Sequence, residues 1–445
     1  MKFKIKKLLS SPPKTLALGF LTLILIGTIL LSLPISLRED SPNVVLDAFF
    51  TSTSAVCVTG LIVQNTASHW TPFGKAVILM LIQVGGIGFM TVATSFFIFS
   101  GKRVSLRERL IIKEQFNSNQ RSGIVRLSNR VIKYTVIIEV AGALLLATYF
   151  VPKFGLRNGI IYSIFHSVSA FCNAGFDILG NSLIGYNEVP IVIYTLSFLV
   201  ILGGLGFSVL RDVYEIRSFK KFSLHTKLVL QSTGILLFIG FVLFILLEFN
   251  NGATIKNMSW FGKINASWFQ AVVPRTAGFQ SVNYSLVKDS TLLVTTILMF
   301  IGASPGGTGG GVKTTTIAVI VAAVISVVKG SDDTEMFNRR VDNKIIKKAL
   351  AIFTVALLLV LIASFTITVL QPNIRFIDVL FEVTSAFGTV GLGVGVSDHL
   401  HVVGKLIICF MMYVGRLGPL TLLYTINIKQ KHRSIRLAQD DVIVG

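Results

Sequence analysis

Charged residues are scarce in this chain of 445 residues, since Asp, Glu, Lys and Arg make up only 14% of it. Soluble globular domains carry about 25% charged residues. The scarcity of charge, combined with 52% hydrophobic residues and a mean hydropathy of +0.74, excludes an ordinary soluble domain. The composition therefore predicts an all-α polytopic membrane protein.

Cysteine and histidine are too few and too widely spaced for disulfide or metal chemistry. The cysteines Cys57, Cys172 and Cys409 lie in apolar segments without a CxxC spacing, so we expect small packing residues. Metal-ligand spacing is also missing among His69, His166, His225, His399 and His401. We expect no enzyme active site, no catalytic residue and no covalently bound cofactor.

Acidic residues are outnumbered, because 41 Lys and Arg stand against 21 Asp and Glu. A net charge of +20 could indicate nucleic-acid binding, but the basic residues lie between apolar spans and form no aromatic-flanked clusters. We therefore expect membrane lipid as a partner and no nucleic acid.

Eight apolar segments have the roughly 20 residues that a helix needs to cross the hydrocarbon core. They cover residues 16–35, 76–99, 131–151, 189–210, 228–249, 291–328, 346–370 and 402–426. The basic start at residues 2–7 resembles a signal peptide, but the apolar run that follows is too long and lacks an Ala-x-Ala site. We therefore predict a retained first span.

The basic residues also predict an orientation. Twenty-nine of the 41 Lys and Arg fall on the side of both termini, ten fall on the opposite side, and Lys313 and Arg416 lie within apolar spans. The positive-inside rule then places both termini in the cytoplasm of a multi-pass protein of the cell membrane.

Four short stretches share a pattern that ends in glycine. Each has an aromatic residue ten positions before the glycine and a Leu or Phe directly after it. The stretches are 54–60 (SAVCVTG), 169–175 (SAFCNAG), 272–278 (VVPRTAG) and 385–391 (SAFGTVG). The apolar segments that lead into them, 43–56, 158–171, 264–273 and 375–387, are too short to span a membrane and are better interpreted as re-entrant.

These segments predict four membrane-pore-membrane repeats around one central pore. The repeats cover residues 1–100, 101–217, 218–330 and 331–445, the last including a cytoplasmic C-terminal tail. Irregular backbone is tolerated at membrane depth only inside protein or along water. Glycine permits the positive φ angles that turn successive carbonyl oxygens toward an ion. A helix-packing role for each glycine is the alternative, and four matched copies weigh against it.

The predicted filter would bind a cation through backbone carbonyl oxygens alone, because its stretches contain no Asp or Glu. Its residues are Val58, Thr59, Gly60, Asn173, Ala174, Gly175, Thr276, Ala277, Gly278, Thr389, Val390 and Gly391.

The sixth span is interrupted at residues 302–316 by six glycines and a proline, which cannot remain helical. We predict a flexible intramembrane loop. Its residues are Gly302, Ser304, Pro305, Gly306, Gly307, Thr308, Gly309, Gly310, Gly311 and Lys313. A Walker A phosphate loop is the competing motif, but Val312 separates Gly311 from Lys313 and the flanks are apolar spans.

Three second spans repeat a glycine pattern at 85–88 (GGIG), 203–206 (GGLG) and 415–418 (GRLG). We interpret it as a site of close helix approach. A dinucleotide fingerprint is the weaker alternative because no strand precedes it.

These motifs resemble those of the Trk/Ktr/HKT superfamily of potassium transporters over nearly the whole chain. The resemblance implies potassium selectivity, since Gly60 occupies the position where sodium-selective members carry Ser. It also implies that residues 302–316 gate the pore and that Arg416 is a basic barrier beneath the filter. The filter is degenerate, because its four stretches share only glycine.

The bacterial Ktr system is the branch that the chain resembles most. That resemblance implies a homodimer on a cytoplasmic octameric ring of KtrA-type subunits, with ATP or ADP bound by the ring and not by this chain. It further implies potassium as the transported ion and sodium as an activator. A sodium-coupled symporter remains the alternative function. A nucleotide-using membrane enzyme is disfavoured, because it would need carboxylates to hold a metal and the 291–328 span contains none.

Overall fold

The computed structural model describes residues 11–38, 44–99, 104–115 and 124–425. The basic segment before residue 11 and the predicted cytoplasmic tail after residue 425 lie outside the described residues. The described chain is helical apart from loops and one small hairpin, so the predicted all-α class is confirmed. We group the helices by the predicted repeats, whose boundaries stay a prediction.

Repeat 1 contains a long first helix, a short buried helix and a broken second helix. Its elements are α1 (Pro12–Leu31), α2 (Val44–Val56), α3 (Thr66–His69), α4 (Pro72–Ile87) and α5 (Phe89–Phe99). A 3₁₀ turn at Pro34–Ser36 leads from α1 toward α2.

Repeat 2 joins its first two predicted segments into one element. Its helices are α6 (Leu106–Gln115), α7 (Ile124–Phe171), α8 (Pro190–Leu205) and α9 (Phe207–Ile216). The non-helical Gly155, with φ 78° and ψ 166°, marks the kink between the first span and the re-entrant segment. The expected break is therefore a sharp bend without an intervening loop.

In repeats 3 and 4, as in repeat 1, the first span and the re-entrant segment are separate helices. Repeat 3 contains α10 (Leu224–Glu248), α11 (Trp260–Val272), α12 (Asp289–Phe300) and α13 (Thr314–Val328), with 3₁₀ turns at Phe219–Lys221 and Tyr284–Leu286. Repeat 4 contains α14 (Asn343–Leu370), α15 (Phe376–Gly388), α16 (Val396–His399), α17 (Val402–Leu417) and α18 (Pro419–Thr425). The strands β1 (Glu335–Met336) and β2 (Arg339–Arg340) pair antiparallel at the start of repeat 4, a hairpin that the sequence analysis did not predict.

The expectation of continuous helices is corrected for the second spans of repeats 1, 2 and 4, whereas the sequence already predicts the interruption of the sixth span in repeat 3. Four described helices, which supply the first span of each repeat (α1, α7, α10 and α14), are long and apolar enough to cross a membrane, and α7 continues past its kink at Gly155 into the re-entrant segment. The chain breaks at Gly88, Gly206 and Gly418, all with φ between 85° and 94°, and in repeat 3 at residues 301–313. The bend between α8 and α9 measures 98°.

The last glycine of each GGxG-like pattern is thus a helix break, whereas the first glycine does serve close approach. A Cβ on Gly85, Gly203 or Gly415 would lie 2.1, 1.9 or 1.9 Å from a carbonyl oxygen at the end of the preceding re-entrant helix. The pattern therefore combines a contact with a turn.

Burial separates two classes of helix. Nearly every residue in the second half of α2, α11 and α15 is buried, whereas the most apolar 18-residue stretches of the long first helices are only 28–33% buried. Large apolar side chains such as Phe238 and Phe365 are 69% and 68% exposed. An apolar outer surface around a buried centre is the arrangement that lipid requires.

The repeats close into a ring. The second helix of each repeat packs against the re-entrant helix of the next: α4 on α7, α8 on α11, α12 on α15, and α17 back on α2. This cyclic order brings the ends of all four re-entrant helices to the middle of the molecule.

We predict that Gly203→Ala destabilises the protein, because its Cβ would stand 1.9 Å from the Phe171 carbonyl oxygen. Overpacking of this kind costs about 1–3 kcal/mol. The matched control is Gly234→Ala in α10, where a Cβ meets nothing within 4 Å and the helix gains about 0.5–1 kcal/mol. Apparent melting temperatures of the detergent-purified variants should fall for the first and hold or rise for the second; equal temperatures would contradict the close approach.

Candidate functional site: four glycine loops and the segment beneath them

Each re-entrant helix ends in a loop whose first and third residues have positive φ. The first positions are Val58, Asn173, Thr276 and Thr389, with φ of 51°, 58°, 68° and 49°. The third positions are Gly60, Gly175, Gly278 and Gly391, with φ of 94°, 68°, 72° and 92°. Four non-glycine residues in the left-handed region, all at the same offset, indicate that the surrounding structure holds each loop in this conformation.

Backbone hydrogen bonds define the turn in three of the repeats. The middle residues Thr59, Ala174 and Val390 donate their N–H groups to the carbonyl five residues earlier, at 2.8, 2.7 and 2.8 Å. The accepting carbonyls belong to Ser54, Ser169 and Ser385. These bonds define the turn, but because they use the backbone they do not explain why the residue is serine.

The serine hydroxyls explain why three of the four stretches begin with serine. The hydroxyls of Ser54 and Ser385 accept the N–H of Gly60 and of Gly391, each at 3.0 Å. The hydroxyl of Ser169 instead donates to the carbonyl of Phe176 at 2.8 Å. Repeat 3 has valine at this position, and its Ala277 N–H bonds the Val273 carbonyl at 3.0 Å.

The four glycines meet around one axis. A Cβ built on Gly60 would lie 2.5 Å from the Ala174 carbonyl oxygen, and one on Gly391 would lie 2.1 Å from the Thr59 oxygen. The corresponding distances are 2.8 Å from Gly175 to the Ala277 oxygen and 2.7 Å from Gly278 to the Val390 oxygen. Every glycine therefore abuts the middle carbonyl of the next repeat, and any side chain at these positions would force that carbonyl to shift.

The local electrostatics favour a cation at this centre. Carbonyl oxygens of the middle residues crowd the axis, and the C-terminal ends of α2, α7, α11 and α15 directly precede the loops. The C-terminus of a helix carries about half a negative charge from aligned peptide dipoles. All twelve sequence-predicted filter residues lie in this ring.

Residues 302–313 lie directly beneath the ring and contact its first-position side chains. The Thr308 hydroxyl bonds the Asn173 side-chain oxygen at 3.0 Å and the Phe171 carbonyl at 3.2 Å. The N–H of Gly310 donates to the Thr389 hydroxyl at 2.9 Å. A Cβ on Gly309 would collide with Thr276 Oγ1 at 1.9 Å. Only glycine therefore lets the segment lie this close to the repeat 3 loop.

The same segment is anchored to the broken second helix of repeat 2. The N–H groups of Ser304 and Thr308 donate to the carbonyls of Gly204 and Gly203, at 3.0 and 3.1 Å. Gly306 accepts the N–H of Phe207 at 3.1 Å. These exchanges satisfy backbone groups that would otherwise be unpaired at membrane depth.

Two basic side chains bond to the carbonyls of this segment, one from within it and one from repeat 4. The Arg416 guanidinium donates to the carbonyls of Thr308 and Gly85, and to that of Gly86 at 2.9 Å. Lys313 Nζ donates to the Gly309 carbonyl at 2.7 Å. Arg416 of repeat 4 thus connects the repeat 3 segment to repeat 1 below the ring.

Two buried or partly buried acids support the outer side of the ring and were missed by sequence reasoning. Glu382 accepts the N–H groups of Val394, Val396 and Ser397 at 2.9, 2.6 and 2.7 Å. In repeat 2, Asp177 accepts those of Leu179, Gly180 and Ser182 at 2.7, 2.8 and 3.0 Å.

Neither acid recurs in the other repeats, so the repeat pattern could not indicate them. A carboxylate inside the apolar 375–387 segment was the available signal for Glu382.

Known proteins with related sequences match along the full chain. The family model described as TrkH, cation transport protein, matches residues 11–436. The chain belongs to the TrkH family of cation transport proteins.

Individual relatives cover nearly the whole length as well. The chain is 41% identical to the Ktr system potassium uptake protein B of Bacillus subtilis, over 99% of this chain and 98% of that protein. It is 40% identical to the potassium/sodium uptake protein NtpJ of Enterococcus hirae, over 100% and 99%. These relatives are transporters by name, in agreement with a non-enzymatic membrane protein.

A solved structure shares the fold. The potassium transporter TrkH from Vibrio parahaemolyticus superposes with a TM-score of 0.69 at 18% identity, over 92% of this chain and 85% of that one. The family match and the two relatives confirm the resemblance to the Trk/Ktr/HKT superfamily, and this structure agrees in fold.

We predict that Thr308→Val loosens the segment beneath the ring, because it removes both hydroxyl hydrogen bonds. A lost bond is worth about 0.5–1.5 kcal/mol, so we expect amide hydrogen exchange in residues 304–311 to become roughly three- to tenfold faster. Thr366→Val is the control, since its hydroxyl bonds only the Ile362 carbonyl on an exposed helix face. Unchanged exchange in the Thr308 variant would show that the hydroxyl does not anchor the segment.

Proposed function

We propose that this TrkH-family protein takes up potassium through the ring of carbonyl oxygens formed by the four glycine loops. The observation that carries the proposal is the repeated contact of each filter glycine with the middle carbonyl of the next repeat. Such a ring can replace the hydration shell of a cation without any acidic side chain. Uptake would follow the membrane potential, worth about 2.3 kcal/mol per charge per 100 mV.

In this proposal residues 302–313 are the gate and Arg416 is the barrier beneath the filter. The segment contacts the first-position side chains of three filter loops. A fixed guanidinium next to it repels cations from the path. Opening requires both the segment and Arg416 to leave their present positions.

Control of the gate would come from a partner. Two relatives are named as Ktr system potassium uptake protein B, which supports a separate regulatory subunit. We propose a homodimer in the cell membrane, with both termini cytoplasmic, on an octameric KtrA-type ring that binds the nucleotide. Sodium would act as an activator.

A sodium-coupled symporter is the second candidate. The relative from Enterococcus hirae is named a potassium/sodium uptake protein, which supports sodium as a second transported ion. The two candidates differ in their energetics, since only the symporter couples potassium movement to a sodium gradient.

The deciding experiment measures potassium and sodium flux in liposomes that contain the purified chain, with and without a KtrA-type ring. We expect potassium-selective flux in the wild type and loss of selectivity in Gly60→Ser and Gly278→Ser, because their side chains would enter the carbonyl ring. Gly185→Ser is the matched control, since Gly185 has φ 93° and meets nothing within 4 Å.

Two results would overturn the proposal. Equal selectivity in the filter variants and the control would remove the glycine ring from the ion path. Potassium accumulation against its electrochemical gradient, driven by a sodium gradient, would favour the symporter.

We predict that Arg416→Ala raises basal flux several-fold in the absence of the ring partner. The variant removes a positive charge from the path and one connection between the gate and repeat 1. Arg375→Ala is the control, because the Arg375 side chain is 60% exposed and pairs with Asp289 and Asp378 outside the site. Unchanged flux and selectivity in Arg416→Ala would contradict the barrier role.

A further inference from the structure

Repeat 3 differs from the other repeats directly before its filter residues. Repeats 1, 2 and 4 carry the small residues Cys57, Cys172 and Gly388 at this position, whereas repeat 3 carries Arg275. The Arg275 side chain is buried, with the residue 7% exposed. A guanidinium therefore lies inside the protein immediately behind one filter loop.

The charge of Arg275 is poorly satisfied. Its Nη2 donates to the Thr233 hydroxyl at 3.4 Å, at the long limit of a hydrogen bond. Among the described residues, its Nη1 has no hydrogen-bond partner and no carboxylate lies within 4.0 Å of it. Arg416, by contrast, is surrounded by three backbone carbonyls.

A buried guanidinium in this state needs a counter-charge. Arginine does not lose its proton in proteins, so it cannot neutralise itself. An isolated buried charge is costly unless it is both paired and hydrogen-bonded. The surroundings of Arg275 therefore call for a ligand that is negative and accepts hydrogen bonds.

Arg275 lines a small cavity, in which the centre of a water-sized sphere can occupy about 10 Å³. Its walls are Val200, Ile201, Gly204, Thr233, Val272 and Arg275 itself. This volume corresponds to roughly one water-sized ligand. A water molecule would supply a hydrogen bond without charge, whereas a monatomic anion supplies both, and carboxylates and phosphates are too large.

The cavity touches both parts of the site. The carbonyl of Gly204, one of its wall residues, accepts the Ser304 N–H of the segment beneath the ring at 3.0 Å. The Arg275 carbonyl accepts from the Asn173 side-chain amide of the neighbouring filter loop at 3.2 Å. A ligand here would fix the position of the repeat 3 loop and of Gly204, to which the segment beneath the ring is hydrogen-bonded.

We propose that Arg275 and Thr233 form a binding site for one small monovalent anion, of which chloride is the physiological representative. The anion neutralises the guanidinium behind the filter and holds the α8, α10 and α11 seam together. This inference does not depend on which cation the protein transports.

Bromide provides the direct test, because its anomalous scattering distinguishes it from water. Crystals of the wild-type protein grown in bromide should show an anomalous peak within hydrogen-bond distance of the Arg275 guanidinium. Density there without an anomalous signal would mean that a water fills the cavity, and the proposal would be wrong.

Stability in different salts gives a second measurement. The apparent melting temperature of the wild type in potassium chloride or bromide should exceed that in potassium gluconate, at equal ionic strength, by at least roughly 2 °C. This difference should vanish in Arg275→Met and persist in Arg375→Met, whose arginine is exposed. Arg275→Lys retains the charge and should keep part of the difference if Arg275→Met does not fold.

An anion dependence of the same size in Arg275→Met, or none in the wild type, would overturn the proposal. Potassium flux in chloride against gluconate is not needed for this decision, so failure of the anion site leaves the proposed filter untouched.

Discussion

The arrangement of the whole chain depends on one steric constraint: four glycine α-carbons lie against four carbonyl oxygens of neighbouring loops. At Gly391 a single methyl group would stand 2.1 Å from the Thr59 oxygen. Because each contact joins one repeat to the next, the four repeats can satisfy it only as a closed ring. The packing of α17 back onto α2 provides that closure.

The ring places irregular backbone at the centre of an apolar protein, and the surrounding elements satisfy its hydrogen bonds. Serine hydroxyls in repeats 1 and 4 cap the glycine N–H groups, and Glu382 and Asp177 bind the N–H groups of the outer loops. Below the ring, the breaks at Gly88, Gly206 and Gly418 interrupt the second helices. In repeat 2, the carbonyls just before the break accept the N–H groups of residues 304 and 308. The broken helices and the glycine-rich segment therefore complement each other.

The repeat is clear in the sequence because each of the four loops meets the same steric requirement at the central axis. Glycine, the Leu or Phe directly after it and the aromatic residue ten positions earlier return four times, which was sufficient to predict the ring and the fold. Hydropathy, however, measures composition and is insensitive to a single backbone turn. The second helices therefore read as continuous spans, although Gly206 turns the chain by 98°.

Other features could not follow from the repeat because they occur once. Glu382 and Asp177 each support one outer loop, and Arg275 replaces a small residue in one repeat. The β1–β2 hairpin has two residues per strand, too short for an alternating pattern to develop. A fourfold backbone is thus combined with side chains that differ from repeat to repeat, and only the backbone part is visible as periodicity.

The basic side chains near the ring are unevenly distributed among the repeats. Arg275, Lys313 and Arg416 all come from repeats 3 and 4 and lie beside or below a ring whose oxygens attract cations. Arg416 binds the Thr308 carbonyl while the Thr308 hydroxyl binds the filter loop of repeat 2. One residue of the glycine-rich segment therefore connects the positive charge below to the carbonyl ring above. Because these bonds share Thr308, displacement of that residue would break the contact with Arg416 and the contact with the glycine loop together.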